Sequence, residues 1–579
     1  MWKYIKPYIP FALLAALGII GEVTMDLIQP TIMSRIVDDG VLGVHSGGTG
    51  NLHTVWTMGL LMILLVALGG LSGTLNNASV HYFGQNLGND MRKDCFRRIM
   101  SFSFPQMDRF GTGSLVTRVT NDITQVQNFV ANFVRGLLRT TCLTFGSIFF
   151  LFRLNHTFGL IILGAFPFVV GVMALCIWKA GPLFPKLQAQ LDEINAILQE
   201  DISGLRIIKA CVQEIGEKIR FGKANDAQIK TQLRTLVIFA FMNPAANILM
   251  YLAILTILWT GSRQVFAGSA TPGVVMAAIT YATQVLDGVL RLLMVFQTIT
   301  RGLASWHRVK EILDSEPELK DGAGTEEPLA RGLVEFRDVS FSFPGTDQPV
   351  LEHIDLTIHA GETVAIMGAT GSGKTALVSL IPRFYDVTEG AVLVDGVDVR
   401  QYRQKDLRDR ISIVLQKAEL FSVSIRENIA WGKPGARPEE ISIAARIAQA
   451  EDFILSTEQG YDTMVAQRGM SLSGGQKQRL SVARAVVRDA EILIFDDSTS
   501  ALDLRTEAAL NAALKQARPG CTKVIVAQRI ASVRQADRIV VLEHGRIAAA
   551  GSHEALLDTC PIYRDIYDSQ MGKEAQKVG

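Results

Sequence analysis

Hydrophobic and polar positions follow one rhythm up to about residue 313 and a different one from Leu333 onward. The first part holds six long apolar stretches, centred on residues 9–36, 55–75, 132–152, 157–180, 236–262 and 273–298. Each is long enough to cross a bilayer as a helix, because a hydrocarbon core of about 30 Å takes ~20 helical residues. The polar segments after the second and fourth stretches keep a helical period over tens of residues with few breakers. This predicts membrane helices that continue well beyond the bilayer. Their turning points read Phe110-Gly111-Thr112-Gly113-Ser114-Leu115-Val116-Thr117-Arg118 and Ile202-Ser203-Gly204-Leu205-Arg206-Ile207-Ile208-Lys209. Each holds a glycine beside apolar residues, which suits a short docked helix, but on composition alone a solvated helical hairpin is the simpler reading.

From Leu333 the chain turns to short apolar or alternating runs: Leu333 to Ser342, Thr363 to Met367, Ala391 to Val394, Ile411 to Leu415, Ile492 to Phe495, Lys523 to Ala527 and Arg538 to Leu542. Helical patterns lie between several of them, so the second part is expected to be α/β. The stretch from Asp314 to Pro328 is acidic and rich in breakers, as a linker is. The expected organisation is a six-helix membrane domain over residues 1–313 with two cytoplasmic tips, a linker over 314–332 and an α/β domain over 333–579.

Composition agrees with a membrane half joined to a soluble half: 48% of the 579 residues are hydrophobic although 20% are charged. A net charge of +1 gives no reason to expect nucleic acid as a partner. The six cysteines are scattered without C-x-x-C spacing and read as free thiols. Lysine and arginine concentrate in the two long polar segments, at Arg92, Lys93, Arg97, Arg98, Arg109 and Arg118 and again from Lys186 to Arg234, whereas Val41 to Thr54 has none. By the positive-inside rule both termini and the second domain face the cytosol, and the protein is expected in the cytoplasmic membrane as a multi-pass protein. Glu22 and Asp26 lie four apart on one face of the first apolar helix. Charges there are expensive, so the pair either meets a cationic substrate or a gate, or is neutralised by a partner helix.

The most informative stretch is Gly368-Ala369-Thr370-Gly371-Ser372-Gly373-Lys374-Thr375. It follows a short β-prone run and precedes a helical pattern, the context that makes G-x-x-x-x-G-K-[ST] a phosphate-binding loop. Glycines let backbone N–H groups turn toward the phosphates, Lys374 reaches the β- and γ-phosphates, and Thr375 offers its hydroxyl to Mg²⁺. Ile492 to Phe495 is an apolar strand that delivers Asp496 where an Mg²⁺ contact, direct or through water, is needed. A nucleoside triphosphate with Mg²⁺ is therefore expected here, and the family resemblance drawn next implies that it is ATP.

With Leu472-Ser473-Gly474-Gly475-Gln476 ahead of the Asp496 strand, and six membrane helices before both, the chain resembles the ATP-binding cassette (ABC) transporters over nearly its whole length. It looks like an exporter half-transporter. The resemblance implies that Phe343 stacks on adenine, that Gln416 senses Mg²⁺ and the membrane domain, and that Ser500 to Asp503 forms a dimer contact. It also implies that the two glycine-bearing tips are coupling helices. In this family two cassettes pair head to tail, so Leu472, Ser473, Gly474, Gly475, Gln476 and Asp503 serve the ATP held by the other chain.

Two positions depart from the family pattern. The residue after Asp496 is Asp497 where a glutamate is usual, and the switch position is Gln528 where a histidine is usual. A carboxylate withdrawn by one methylene is displaced by about 1 Å, which can lower a rate by about a hundredfold. Glutamine hydrogen-bonds but never carries a proton's charge. Both departures weaken hydrolysis and spare binding, so the chain is expected to be the degenerate-site subunit of a heterodimeric, multidrug-type exporter of hydrophobic or amphipathic compounds. A homodimeric slow exporter, a lipid flippase, a peptide exporter and an ATP-gated channel are the alternatives.

Overall fold

A computed structural model describes residues 1–45, 48–324, 331–346, 348–466, 469 and 471–575, with the backbone alone at 293, 294, 296, 297 and 571–575. Thr325 to Pro328 of the expected linker lie outside the described residues. The chain divides into two compact units: Met1–Met100 with Gly113–Ser315, and Ser101–Thr112 with Glu316–Gly579.

The first unit is helical. Among the described residues, six helical segments are long and apolar enough to cross a membrane, as the hydrophobic pattern predicts. Several far exceed what a bilayer needs: Glu214–Phe266 has 53 residues, roughly 80 Å at 1.5 Å per residue. Helix Ile9–Arg35 packs closely on Leu52–Met100 because glycines line the seam. A Cβ on Gly18 would lie 2.9 Å from the Ser72 carbonyl, and one on Gly73 would lie 3.2 Å from Glu22 Oε2. The core gathers Ile19, Val23, Leu27, Leu151, Phe158 and Tyr281. With no hydrophobic drive between helices in lipid, such close packing and side-chain hydrogen bonds hold the bundle.

Helix Pro272–Asp314 starts without a cap from its own N-cap side chain. Asp38, 4% exposed, takes that role from a distant part of the chain. Its carboxylate accepts from the Gly273 N–H at 2.8 Å and from the Thr271 hydroxyl at 2.5 Å. A carboxylate at a helix N-terminus satisfies orphan donors and complements the helix dipole. Asp38→Ala is expected to destabilise the unit by about 1–2 kcal/mol, whereas Asp38→Asn keeps an acceptor and most of the stability. The apparent Tm of the purified protein in lipid nanodiscs reads the difference.

The second unit is α/β, as expected. Its described residues form ten strands: β1 (Val334–Phe341), β2 (Leu351–Ile358), β3 (Thr363–Gly368), β4 (Glu389–Val394), β5 (Val397–Asp398), β6 (Ile411–Val414), β7 (Ile492–Asp496), β8 (Thr522–Val526), β9 (Arg538–Glu543) and β10 (Arg546–Gly551). A four-stranded antiparallel sheet has the order β2-β1-β4-β5, and a six-stranded sheet has the order β10-β9-β3-β8-β7-β6. In the larger sheet only β10 runs antiparallel to its neighbour. Val364 and Ile366 of β3 enter one core and Ala365 and Met367 another. A strand buried on both faces is why this run is apolar without alternation.

Residues 101–112 fold with this unit. Helix Phe104–Phe110 opens with a Ser103/Gln106 capping box and Pro105 in its first turn. Phe104 stacks on Phe384 at 4.2 Å between ring centroids, and the Tyr385 hydroxyl donates to Asp108 at 2.6 Å. Gln106 donates to the Glu316 carbonyl at 2.7 Å and accepts from the Glu318 N–H at 3.3 Å. The docked segment, residues 101–112, thus overlaps the expected tip Phe110 to Arg118 only at its start, because the aromatic anchor lies before Gly111 and not after it. At the other tip, helices Leu183–Ser203 and Leu205–Ala210 meet at Gly204, and Ile202, Leu205 and Ile207 are exposed.

Candidate nucleotide site

The carboxyl ends of β3, β6, β7 and β8 meet at one edge of the six-stranded sheet, the place where open α/β sheets bind ligands. β3 ends in Gly368, whose φ of +150° and contact with the Leu542 carbonyl exclude a side chain: a Cβ would lie 2.2 Å from that oxygen. Gly373, at φ +98°, precedes helix Lys374–Leu380 and would place a Cβ 2.7 Å from Leu351. These two positions require glycine, with Ala369, Thr370, Gly371 and Ser372 between them. Lys374 folds back over the loop, donating to the carbonyls of Gly368 at 2.9 Å and Ala369 at 2.7 Å. Burial holds its ammonium below the usual range against the pull of Asp497 and Asp496. Ser372 Oγ is buried with no partner among the described residues. A glycine-shaped cradle with an orphaned hydroxyl and a buried cation fits a polyphosphate.

Asp496, 3% exposed, ends β7 and accepts from the Thr375 hydroxyl at 3.0 Å. Burial pushes its carboxyl above the usual range; the Thr375 bond opposes this, and the neighbouring Asp497 charge adds to it. A buried carboxylate beside a hydroxyl and an adjacent second carboxylate suits a hard divalent cation with oxygen ligands.

Asp497 is where the two departures from the family pattern meet. Its Oδ2 accepts from Gln528 Nε2 at 3.0 Å and from Gln416 Nε2 at 3.5 Å. Neighbouring β7 and β8 pair Asp496 with Val526, which brings the residues that follow them together. Asp497 also has φ +45°, a left-handed conformation that aspartate adopts more readily than most residues. Gln528 is fixed in turn: Gln570 donates to its carbonyl at 2.8 Å and accepts from the Ile530 N–H at 2.8 Å.

Phe343 lies just beyond β1, with Phe341 and Tyr385 edge-on to it at 5.0 and 5.4 Å. Leu472 is half-buried, and Ser473 caps helix Gly474–Val486, exchanging hydrogen bonds with Gln476 at 3.3 and 2.8 Å. Ser473 and Gly474 are exposed at this helix start. Gly475 packs against the Ala501 carbonyl, 3.2 Å from where its Cβ would be, and Gln478 accepts from the Ala501 N–H at 3.0 Å. Asp503 caps the next helix, Leu504–Ala517, through Thr506 N–H at 2.9 Å and Thr506 Oγ1 at 2.8 Å. The expected dimer-contact aspartate therefore has both oxygens engaged within its own chain.

In the membrane unit, Arg139 lies between Glu22 and Asp26, at 3.1 and 3.2 Å. The sequence signal for this pairing is an arginine inside the third apolar stretch. Two carboxylates facing one guanidinium leave one negative charge over. Leu137, Phe166, Val170, Met173, Ile177 and Val289 contribute to an apolar groove of about 420 Å³ in the same unit.

A phosphate-loop α/β domain with a serine-glycine-glycine helix start, joined in one chain to six long apolar helices, defines a membrane transporter half that carries its own nucleotide-handling domain. Residues 12–289 match the ABC transporter transmembrane region and residues 351–500 match the ABC transporter family. The chain belongs to the ABC transporter family. It is 38% identical to the ABC transporter ATP-binding protein YfiB of Bacillus subtilis (strain 168) over 575 residues, 99% of each chain. It is 36% identical over 521 residues to an ATP-dependent lipid A-core flippase of Syntrophus aciditrophicus (strain SB), 90% of this chain and 86% of that one. A solved bacterial Atm1-family ABC exporter with ATP bound superposes with a TM-score of 0.78 at 28% identity, covering 98% of this chain and 99% of that one. This is a multi-pass ABC exporter with an ATPase domain, of a family that works as dimers in a lipid bilayer.

Proposed function

We propose that this chain is one half of a heterodimeric exporter that moves hydrophobic or amphipathic compounds out across the cytoplasmic membrane by alternating access. Its own nucleotide site binds ATP and turns it over slowly, and its signature helix completes the competent site of a partner half-transporter. The observation that carries this reading is the contact of Asp497 with Gln528. The position that ordinarily orients the attacking water holds a shortened carboxylate, tied to a side chain that never protonates.

Gly368 to Thr375 hold the phosphates, Lys374 leaves its carbonyl partners for the β- and γ-oxygens, and Phe343 stacks on adenine. Thr375, Gln416 and Asp496 would hold Mg²⁺, Asp496 directly or through water; when bound it neutralises charge on the phosphates. Ser473, Gly474 and Gly475 present a compact anion site at a helix start to the partner's γ-phosphate. Both termini and the nucleotide-binding unit are cytosolic, which the basic long segments support.

The Glu22–Arg139–Asp26 cluster with its surplus negative charge and the apolar groove favour an amphipathic cation as substrate. A lipid substrate is the second reading, favoured by the same groove and by relatives named lipid A-core flippase. Uptake of a cationic dye and flipping of a fluorescent lipid, measured in the same inverted vesicles, distinguish them, and Glu22→Gln lowers only the first.

The heterodimer is tested by purifying the chain alone. Radiolabelled ATP bound with Mg²⁺ is expected to be recovered largely as ATP, with turnover about a hundredfold below that of the assembled pair. A stable homodimer with brisk ATP-dependent transport would refute the assignment.

A further inference from the structure

We infer that Tyr385 is a positioning residue that relays occupancy of the adenine platform to the docked helix Phe104–Phe110. This rests on the reading of Phe343 as that platform.

Tyr385 touches both ends of the relay. Its ring meets Phe343 edge-on at 5.4 Å and 88°, and also contacts Phe341 at 5.6 Å. Its hydroxyl donates to Asp108 at 2.6 Å, and its ring lies 6.2 Å from that of Phe104. One rigid side chain with two rotatable bonds thus spans from the base-stacking ring to the helix. Burial first, and then the Asp108 carboxylate, push the phenol far above its usual range, so it remains a donor at every physiological pH.

The turn that carries Tyr385 is held on all sides. Arg383, 5% exposed, sits at φ +52°, a conformation that persists only where surroundings impose it. Its guanidinium pairs with Asp386 at 2.7 Å and donates to the Lys320 carbonyl at 3.1 Å. Phe384 is covered on one side by Phe104, and the Arg408 guanidinium lies 5.5 Å from its ring centroid. A turn so fixed leaves the Tyr385 ring few ways to accommodate a change at Phe343 except through its hydroxyl end.

A base stacked on Phe343 restricts that ring, which restricts Tyr385 against it, and the restriction ends on Asp108. The docked helix follows membrane helix Leu52–Met100 after only three residues. Linkage makes the effect reciprocal: whatever base stacking adds to docking, docking adds to affinity for the base.

The test is amide hydrogen exchange of residues 101–112 in the full chain in lipid nanodiscs, with Mg-ATP or with inorganic tripolyphosphate, which has no base. Mg-ATP is expected to slow exchange in 104–110 by about fivefold or more, and tripolyphosphate to leave it nearly unchanged. Tyr385→Phe keeps the ring and still binds ATP, weaker at most by the factor that linkage assigns to the relay, but loses most of the slowing. Asp108→Ala, made from the helix side, loses it too, and Asp108→Asn, which keeps an acceptor, retains it. Slowing of natural size in Tyr385→Phe, or equal slowing by tripolyphosphate, overturns the relay. Binding of ATP without any slowing overturns the relay alone, whereas no binding of ATP overturns both it and the nucleotide reading.

Discussion

Ser473→Ala in this chain is expected to lower ATP hydrolysis by the assembled pair about a hundredfold, and Asp497→Ala by less than about threefold. The asymmetry follows from what each residue serves. Ser473 and Gly474 are exposed at the start of a 13-residue helix, and in the proposed pair this helix start serves a phosphate held by the other chain. Removing one preorganised donor at a developing charge typically lowers kcat by about 10²–10³. Asp497 lies at this chain's own site, where on the proposed reading the shortened carboxylate contributes little. Ser473→Ala also removes a helix cap, worth about 0.5–2 kcal/mol. Ser473→Thr separates the two effects, since threonine keeps the cap and the hydroxyl while crowding the phosphate. Steady-state ATPase of the co-purified pair, with its melting temperature alongside, decides. Equal losses from Ser473→Ala and Asp497→Ala would sink the division of labour.

The double substitution Asp497→Glu with Gln528→His is expected to raise hydrolysis at this chain's own site about a hundredfold, with each single change giving much less. The two side chains already share a hydrogen bond of 3.0 Å, so they form one unit and their effects are not additive. Glutamate extends the carboxylate by a methylene, and histidine supplies a group that can be charged near neutral pH. The left-handed backbone at Asp497 sets a penalty of about 1 kcal/mol on the longer side chain, so the double variant gains activity and loses some stability. Single-turnover hydrolysis by the co-purified pair, with Ser473→Ala in this chain silencing the partner's site, reads this chain's own site. No gain from the double variant would mean that the slow site has another cause.

Much of the fold was legible because membrane spans and phosphate loops impose composition directly. Gly368 and Gly373 can be nothing else at their φ values and contacts, and apolar runs of about 20 residues have few alternative uses in water. Strand β2 was missed: Glu352, His353 and Asp355 break its apolar run, and only its inward positions, Leu351, Ile354, Leu356 and Ile358, are buried. The first docked helix lies before the tip that Gly111 and Gly113 suggest. The capping signal at Ser103, Pro105 and Gln106 stood in plain sight a few residues earlier. That Asp497 and Gln528 touch was beyond sequence reading, since it depends on β7 and β8 being neighbours. The Arg139 pairing required knowing which helices pack together.

The attachment of residues 101–112 to the second unit has a consequence for how the protein is made. Asp108 leaves the ribosome 277 residues before Tyr385, the group that receives it. At about 5–20 residues per second the helix waits roughly 15 to 55 s for its seat to exist. During that interval Phe104 and Phe110 are exposed aromatic surface just after a newly inserted membrane helix, and a seven-residue helix is too short to persist without its seat. Slowing translation between these two points lengthens the period in which this segment is exposed.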